Sequence, residues 1–368
     1  MPVTTKHKLR GTWFSVHKWI GILLAVLVIP VSLSGSALVW HDWLDETANP
    51  ARYAVSDSAT RLAPSAYVTA ARAAMQPGER IAQMRYPEHK GAIVITLQSA
   101  QPGERTNLWI DPADGRLLDR ASSNDGLVRV LHRLHGSLMV PGVGRQIVGW
   151  IGVAMLVSAL TGLWLWWPLK GRWTQGLRWR RQPTVNANLH HQAGFWIAIP
   201  LAMLAFTGVW ISFPPLFAAV AGLPPPPPRS APAQPLTAPG MAPDAALAAA
   251  SVHATGPLVS IAWPTDKKAE WKLGFAREGG NAEVVVDDAT RAAIPPGPVK
   301  PETLARTMRR LHDGTGMGAI WQVVIFVGGI LPALLAVTGL IMWLRTRGRR
   351  GDAVRRRKQR SRIPAPAE

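Results

Sequence analysis

The chain has 368 residues, is 48% apolar, contains 17 Trp and no Cys, and carries a formal net charge of +19. Without cysteine it has no disulfide, no thiolate nucleophile, no iron–sulfur ligation and no C-x-x-C-H attachment of haem. A charge of that size suits nucleic acid or anionic lipid, and its distribution along the chain decides between them.

A basic segment, 1–13, opens the chain and leads into a first apolar run, 14–40. Three more runs follow near 146–167, 194–217 and 319–344, each at least about 20 residues long, the length that crosses ~30 Å of hydrocarbon. Tryptophans gather at their ends, among them Trp13, Trp19, Trp40, Trp166, Trp167 and Trp343, as in an interfacial belt. Ser34-Gly35-Ser36-Ala37 resembles a signal cleavage site, but the first run is too long for a cleaved signal and is expected to be kept.

Basic residues concentrate in three places. Lys6, Lys8, Arg10 and Lys18 lie at the start, Lys170, Arg172, Arg178, Arg180 and Arg181 in the short loop 168–193, and ten more in the tail 345–368, where only Asp352 and Glu368 oppose them. The two long loops are nearly balanced in charge. This asymmetry predicts a multi-pass membrane protein with both termini and the short loop cytoplasmic and both long loops outside. The cations then face anionic headgroups of a lipid bilayer, and no nucleic-acid partner is expected.

The first long loop, 41–130, reads as a small α+β unit: a helix over 65–75, strands near 81–86, 92–98 and 106–110, and a turn at 111–115. An outer segment and second membrane helix occupy 131–167, and the third helix 194–217. A proline-rich linker, 218–240, precedes a second α+β unit, 241–305, with a helix over 244–253, strands near 258–263, 271–276 and 283–286, and a turn at 287–290. An outer segment and fourth helix, 306–344, complete the set. The fold class predicted is therefore an all-α four-helix transmembrane bundle bearing two small α+β outer units.

The chain also aligns with itself. His17 and Gly35 match His190 and Gly208 at an offset of 173, while His135 and Thr161-Gly162-Leu163 match His312 and Thr338-Gly339-Leu340 at 177. An internal duplication of this kind, with both halves running the same way, has its pseudo-two-fold axis along the bilayer normal. The axis turns four scattered histidines into two facing couples, His17 with His190 and His135 with His312.

Two neutral imidazoles from opposing helices are the axial ligands of a b-type haem, so two b-type haems are expected, one near each membrane face. Zinc or copper is the alternative at the outer couple, where His132 and His135 share one helix face at i, i+3. Arg133, Arg309 and Arg310 are candidates to neutralise haem carboxylates. His191 competes with His190 as inner ligand; His41, His89 and His253 have no assigned role.

The stretches H-K-W-I-G at 17–21, L-H-R-L-H-G at 131–136, N-L-H-H-Q-A-G at 188–194 and T-G-L-W-L-W at 161–166 resemble the PepSY-associated transmembrane family, also labelled iron-regulated membrane proteins, over nearly the whole chain. The resemblance implies four spanning helices, two periplasmic PepSY-like units and a dihaem inner-membrane reductase that releases iron from a ferric siderophore. It maps the family's helix histidines onto His17, His135, His190, His312 and His132. The sequence departs from the family in His191 and in the long proline spacer.

On this reading the chain is a haem-dependent oxidoreductase, a one-electron relay from a cytoplasmic reductant or membrane quinol to a ferric siderophore docked outside. Reduction alone releases the metal, because Fe(II) holds hard oxygen chelators less tightly than Fe(III). A non-catalytic membrane-anchored binding or regulatory protein is one alternative. A siderophore or iron transporter is the other; it calls for midplane polar residues or broken helices, and although Pro30, Pro200 and Pro332 can kink, no charged residue sits mid-span.

Overall fold

The computed structural model describes residues 3–57, 60–87, 91–99, 103–168, 172–179, 181–222, 232–254, 256–278, 280–298 and 302–360, with side chains described from residue 8 to 348. Residues 223–231 of the proline-rich linker, Lys170, Arg180, His89, the Lys6 side chain and the tail side chains beyond residue 348 lie outside the described residues. In chain order the elements are α1 (Val3–Leu38), α2 (His41–Ala48), α3 (Pro64–Ala74), β1 (Arg80–Arg85), β2 (Ile93–Gln98), β3 (Arg105–Ile110), β4 (Leu117–Ser122), α4 (Leu127–Ser137) and α5 (Gly144–Trp166). They continue with α6 (Val185–Ser212), α7 (Pro214–Val220), α8 (Pro243–Ser251), β5 (Leu258–Ala262), β6 (Glu270–Arg277), β7 (Gly280–Asp287), β8 (Ala293–Ile294), α9 (Leu304–Asp313) and α10 (Ala319–Arg360).

The chain divides into two compact units. One contains residues 1–40, 131–226 and 303–368, and the other 41–130 and 227–302.

In the helical unit, α1, α5, α6 and α10 are each long and apolar enough to cross a membrane. α1 packs along α5 and α10, and α6 along the same two, so α1 and α6 face each other diagonally across the bundle. Leu23, Val26, Ile199 and Ile320 are 70–86% exposed. An apolar outer face of that kind is stable against lipid and not against water. Pro30, Pro200 and Pro332 sit inside α1, α6 and α10, where each removes one intrahelical donor; below Pro30, Ser34 Oγ donates back to the Pro30 carbonyl at 2.6 Å.

In 131–167 and 306–344 the outer histidine segment forms a helix of its own, apart from the span that follows. His135 lies on α4 and His312 on α9, short amphipathic helices that end before α5 and α10 begin. Leu138 and Met139, with positive φ, break the first junction. Gly314 caps α9 in the left-handed region at φ 79° and donates to the Arg310 carbonyl.

The second unit differs from the expected pair of separate domains. Its strands form one antiparallel sheet of order β4-β3-β2-β1-β5-β6-β7-β8, in which β1 and β5 join the two loops through Met84 opposite Ile261. The physical reason is edge protection: alone, the halves would expose β1 and β5 as edges, and pairing the two covers both, leaving β4 and β8 as the edges of the joined sheet. A single core runs beneath α3 and α8, with Tyr67, Met84, Ile95, Ile261, Trp271 and Val284 all fully buried. In β2 the inward residues Ile93, Ile95 and Leu97 alternate with half-exposed ones, the period of a one-sided sheet.

The turn after β3 is held by Asp111, whose side chain is 0% exposed and accepts from the Ser56 amide at 2.7 Å, the Ser56 hydroxyl at 2.6 Å and the Ala113 amide at 2.9 Å. Burial pushes this carboxyl up, and the bonds from Ser56 and Ala113 with the Arg116 guanidinium outweigh it, so it stays below its ordinary value of 3.8. Its stabilisation is therefore complete above that value and vanishes as the pH falls through the lower folded-state value. Asp111→Ala leaves those donors without an acceptor and is expected to cost about 1–3 kcal/mol. Thermal unfolding of the purified protein, with hydrogen exchange of the β3 and β4 amides, checks this.

Candidate functional site

Each of the four paired histidines is built the same way. His17 on α1 donates from Nδ1 to the Ser158 carbonyl of α5 at 3.1 Å, with Thr161 Oγ1 at 3.2 Å. His190 on α6 bonds through Nδ1 to Thr338 Oγ1 of α10 at 3.0 Å. His135 donates from Nδ1 to the Val31 carbonyl of α1 at 2.8 Å, and His312 to the Leu204 carbonyl of α6 at 3.1 Å, with Thr207 Oγ1 at 3.0 Å. Ser158 and Thr161 stand 177 residues before Leu335 and Thr338, and Val31 stands 173 before Leu204, the same offsets that relate the histidines.

A carbonyl oxygen only accepts, so in these bonds the proton sits on Nδ1 and the lone pair on Nε2. The threonine hydroxyls have spent their own protons on the preceding turn: Thr161 donates to the Val157 carbonyl, Thr207 to Met203 and Thr338 to Leu334. They too can only accept from Nδ1–H. Among the described residues no partner occupies Nε2 of any of the four.

A glycine faces each ring. A methyl group at Gly162 would stand 3.1 Å from His17 Cε1, at Gly339 3.4 Å from His190, at Gly208 3.1 Å from His312, and at Gly35 2.5 Å from His135. The recurring glycines thus let the imidazoles lie flat on the neighbouring helix, a role that repetition in the sequence marks but does not explain. Gly21 differs, with nothing within 4 Å of where its methyl would be.

The rings meet in couples. His17 and His190 have ring centres 6.3 Å apart, and His135 and His312 5.9 Å apart. Two imidazoles bound on opposite sides of one metal, at about 2 Å from each nitrogen, put their ring centres roughly 6 Å apart. His17 and Gly35, which mark the two levels on α1, are 18 residues apart, about 27 Å along the helix axis. On α4 and α9, outside the spanning helices, burial lowers both His135 and His312, with His135 a second cause at His312; His312 is brought to about 4. Both therefore keep a lone pair near neutral pH.

The His17/His190 couple lines a cavity of about 1000 Å³ between the spanning helices, together with Gly21, Gly194, Ala198 and Leu335. Among the described residues no three of His, Asp and Glu come together as a metal site. A four-coordinate zinc needs more protein ligands than each couple offers. His17 and His190, two imidazoles beside a large and mainly apolar space, would instead suit a metal that arrives with further ligands of its own.

His191 is not in the couple. Its Nε2 accepts from Arg181 Nη1 at 3.0 Å and its ring stacks on Trp166 at 5.8 Å. His132, Arg133 and Arg309 are exposed. Arg310 turns back on its own loop, donating to the carbonyls of Thr315 at 3.1 Å and Gly316 at 3.2 Å. His41 lies 3.2 Å from Asp42 in the sheet unit, and His253 is exposed there.

Four spanning helices with half-buried histidine couples, and an antiparallel sheet unit inserted between the helices in sequence, define a multi-pass membrane protein with a PepSY-like domain. The chain belongs to the PepSY-associated TM family, whose model matches residues 14–346. No curated protein matches it.

Gly35→Ala is expected to destabilise the helical unit by about 1–3 kcal/mol, because the His135 ring must shift off its carbonyl. Gly21→Ala should change stability little. The difference is read as thermal unfolding of the two variants in detergent.

Proposed function

We propose that the chain is a membrane oxidoreductase that holds two b-type haems, one at His17/His190 and one at His135/His312, and passes electrons across an inner membrane to a ferric siderophore. The observation that carries this is the set of four Nδ1–H donors committed to helix carbonyls and hydroxyls, which leaves four Nε2 lone pairs in two couples at metal-bridging separation. Haem would supply reversible one-electron exchange at each level. The protein's part is to fix the ring tautomer, hold the imidazoles on glycine, and exclude water with the apolar bundle.

Repetition of the offsets 173 and 177 in the hydrogen bonds, and the near-mirrored strand order of the sheet, support an internal duplication. The excess of Lys and Arg near α1, the α5–α6 loop and the tail supports cytoplasmic placement of the termini and of the His17/His190 level. The donor is then a cytoplasmic reductant or membrane quinol. The ferric siderophore as acceptor rests on the family resemblance.

The purified protein is expected to show a b-type reduced-minus-oxidised spectrum with two haems per chain. His17→Ala or His190→Ala should each remove one equivalent, His135→Ala or His312→Ala the other, and His191→Ala neither. Absence of a Soret band, or unchanged haem content in the four ligand variants, would exclude the reading in favour of a non-catalytic anchor. Gly21→Val should leave the fold intact and cut occupancy of the His17/His190 level alone, measured as one lost haem equivalent.

A further inference from the structure

We propose that Arg10 and Arg181 form a clamp for the two carboxylates of the tetrapyrrole held between His17 and His190, with His191 positioning Arg181; this rests on the haem reading above.

Among the described residues, the cavity beside His17 and His190 is lined by four cations, Arg10, Lys18, Arg181 and Arg347, and by no acid. Arg10, Lys18 and Arg181 are half-buried and Arg347 is exposed, so like charges ring the cavity and an anion that arrives from outside the chain would be drawn in among them. Lys18 stands over the Trp19 ring at 4.8 Å and Arg347 over Trp343 at 5.5 Å, which occupies both. Arg10 and Arg181 are the remaining pair.

Both guanidiniums are aimed by the end of α5. Arg10 donates to the carbonyls of Trp167, at 3.1 Å, and Leu165; Arg181 donates through Nη1 to the Trp166 carbonyl at 3.0 Å and to His191 Nε2 at 3.0 Å. Each of these uses only part of a five-donor fork, and among the described residues neither arginine meets a carboxylate. Arg10 precedes His17 by seven residues, two helical turns, so it lies on the same face of α1, about 10 Å along the axis. That is the order of distance from a porphyrin's centre to its carboxylates. The consecutive histidines His190 and His191 then divide the work: the first faces the iron position, and the second, stacked on Trp166, braces the arginine.

Lipid phosphate is the other source of an anion, and the test separates the two. In a His135→Ala background, apo-protein in nanodiscs of neutral phosphatidylcholine is titrated with protohaem and with its dimethyl ester, which lacks the charged carboxylates. The expected result is a preference for protohaem of about tenfold or more, the worth of one charge-assisted bond or better. Arg10→Gln/Arg181→Gln should abolish the preference, Arg10→Lys/Arg181→Lys should keep most of it, and His191→Ala should lower it part of the way with an unchanged absorption spectrum. The same preference in wild type and the Gln variant overturns the clamp while leaving the haem reading standing. A preference that appears only when anionic phosphatidylglycerol is removed, or a Gln variant that loses anionic lipid instead of the preference, assigns the arginines to lipid. Wild type that binds neither porphyrin overturns the haem reading and the clamp together.

Discussion

A helix backbone inside a membrane has few polar groups to spare, and this bundle uses the carbonyls of Val31, Ser158 and Leu204, with the Thr338 hydroxyl, to accept Nδ1–H of its histidines. Each such bond decides which imidazole nitrogen keeps its lone pair, fixes the ring plane, and stops the chain from satisfying Nε2 locally. The glycines facing the rings follow from it, because a ring can reach a carbonyl on the neighbouring helix only where no side chain stands between them. The separate short helices α4 and α9 follow as well: they bring His135 and His312 in from the side, against α1 and α6, rather than along the spans.

The same constraint shapes the bundle. α1 and α6 lie diagonally opposite, and each contributes one histidine and receives one imidazole at its other end. The inner couple is thus held by α5 and α10, and the outer couple by α1 and α6. Helix packing and site geometry are one problem here, and a change that loosens α1 against α5 moves a carbonyl as well as a contact.

The four spans were readable because an uncharged apolar run of about 20 residues matches the thickness of a bilayer and exceeds what a small soluble core can bury. The histidine couples were readable because equal offsets survive in the numbering. Strand positions were readable to within a residue or two where inward and outward residues alternate, as in Ile93, Ile95 and Leu97. The joining of both loops into one sheet was not, since β1 and β5 carry no mark of a partner some 175 residues away. Nor was the break at Leu138 and Met139, residues that rarely take positive φ. The carbonyl acceptors were invisible in principle: Val31, Ser158 and Leu204 act through main-chain oxygen, which every residue has. His191 looked equivalent to His190 because adjacent positions on a helix share composition while pointing about 100° apart.

The seam between β1 and β5 bears on how the protein is made. Between those strands the ribosome must deliver α5 and α6, so both have to enter the bilayer before the sheet can close. Until then the edge of β1 stays open on the nascent chain, a template for the wrong neighbour, and its protection waits on synthesis of the second half. Biogenesis of this fold is thereby coupled to insertion speed: a pause after α5 lengthens the time during which a half-built sheet is vulnerable to aggregation or proteolysis.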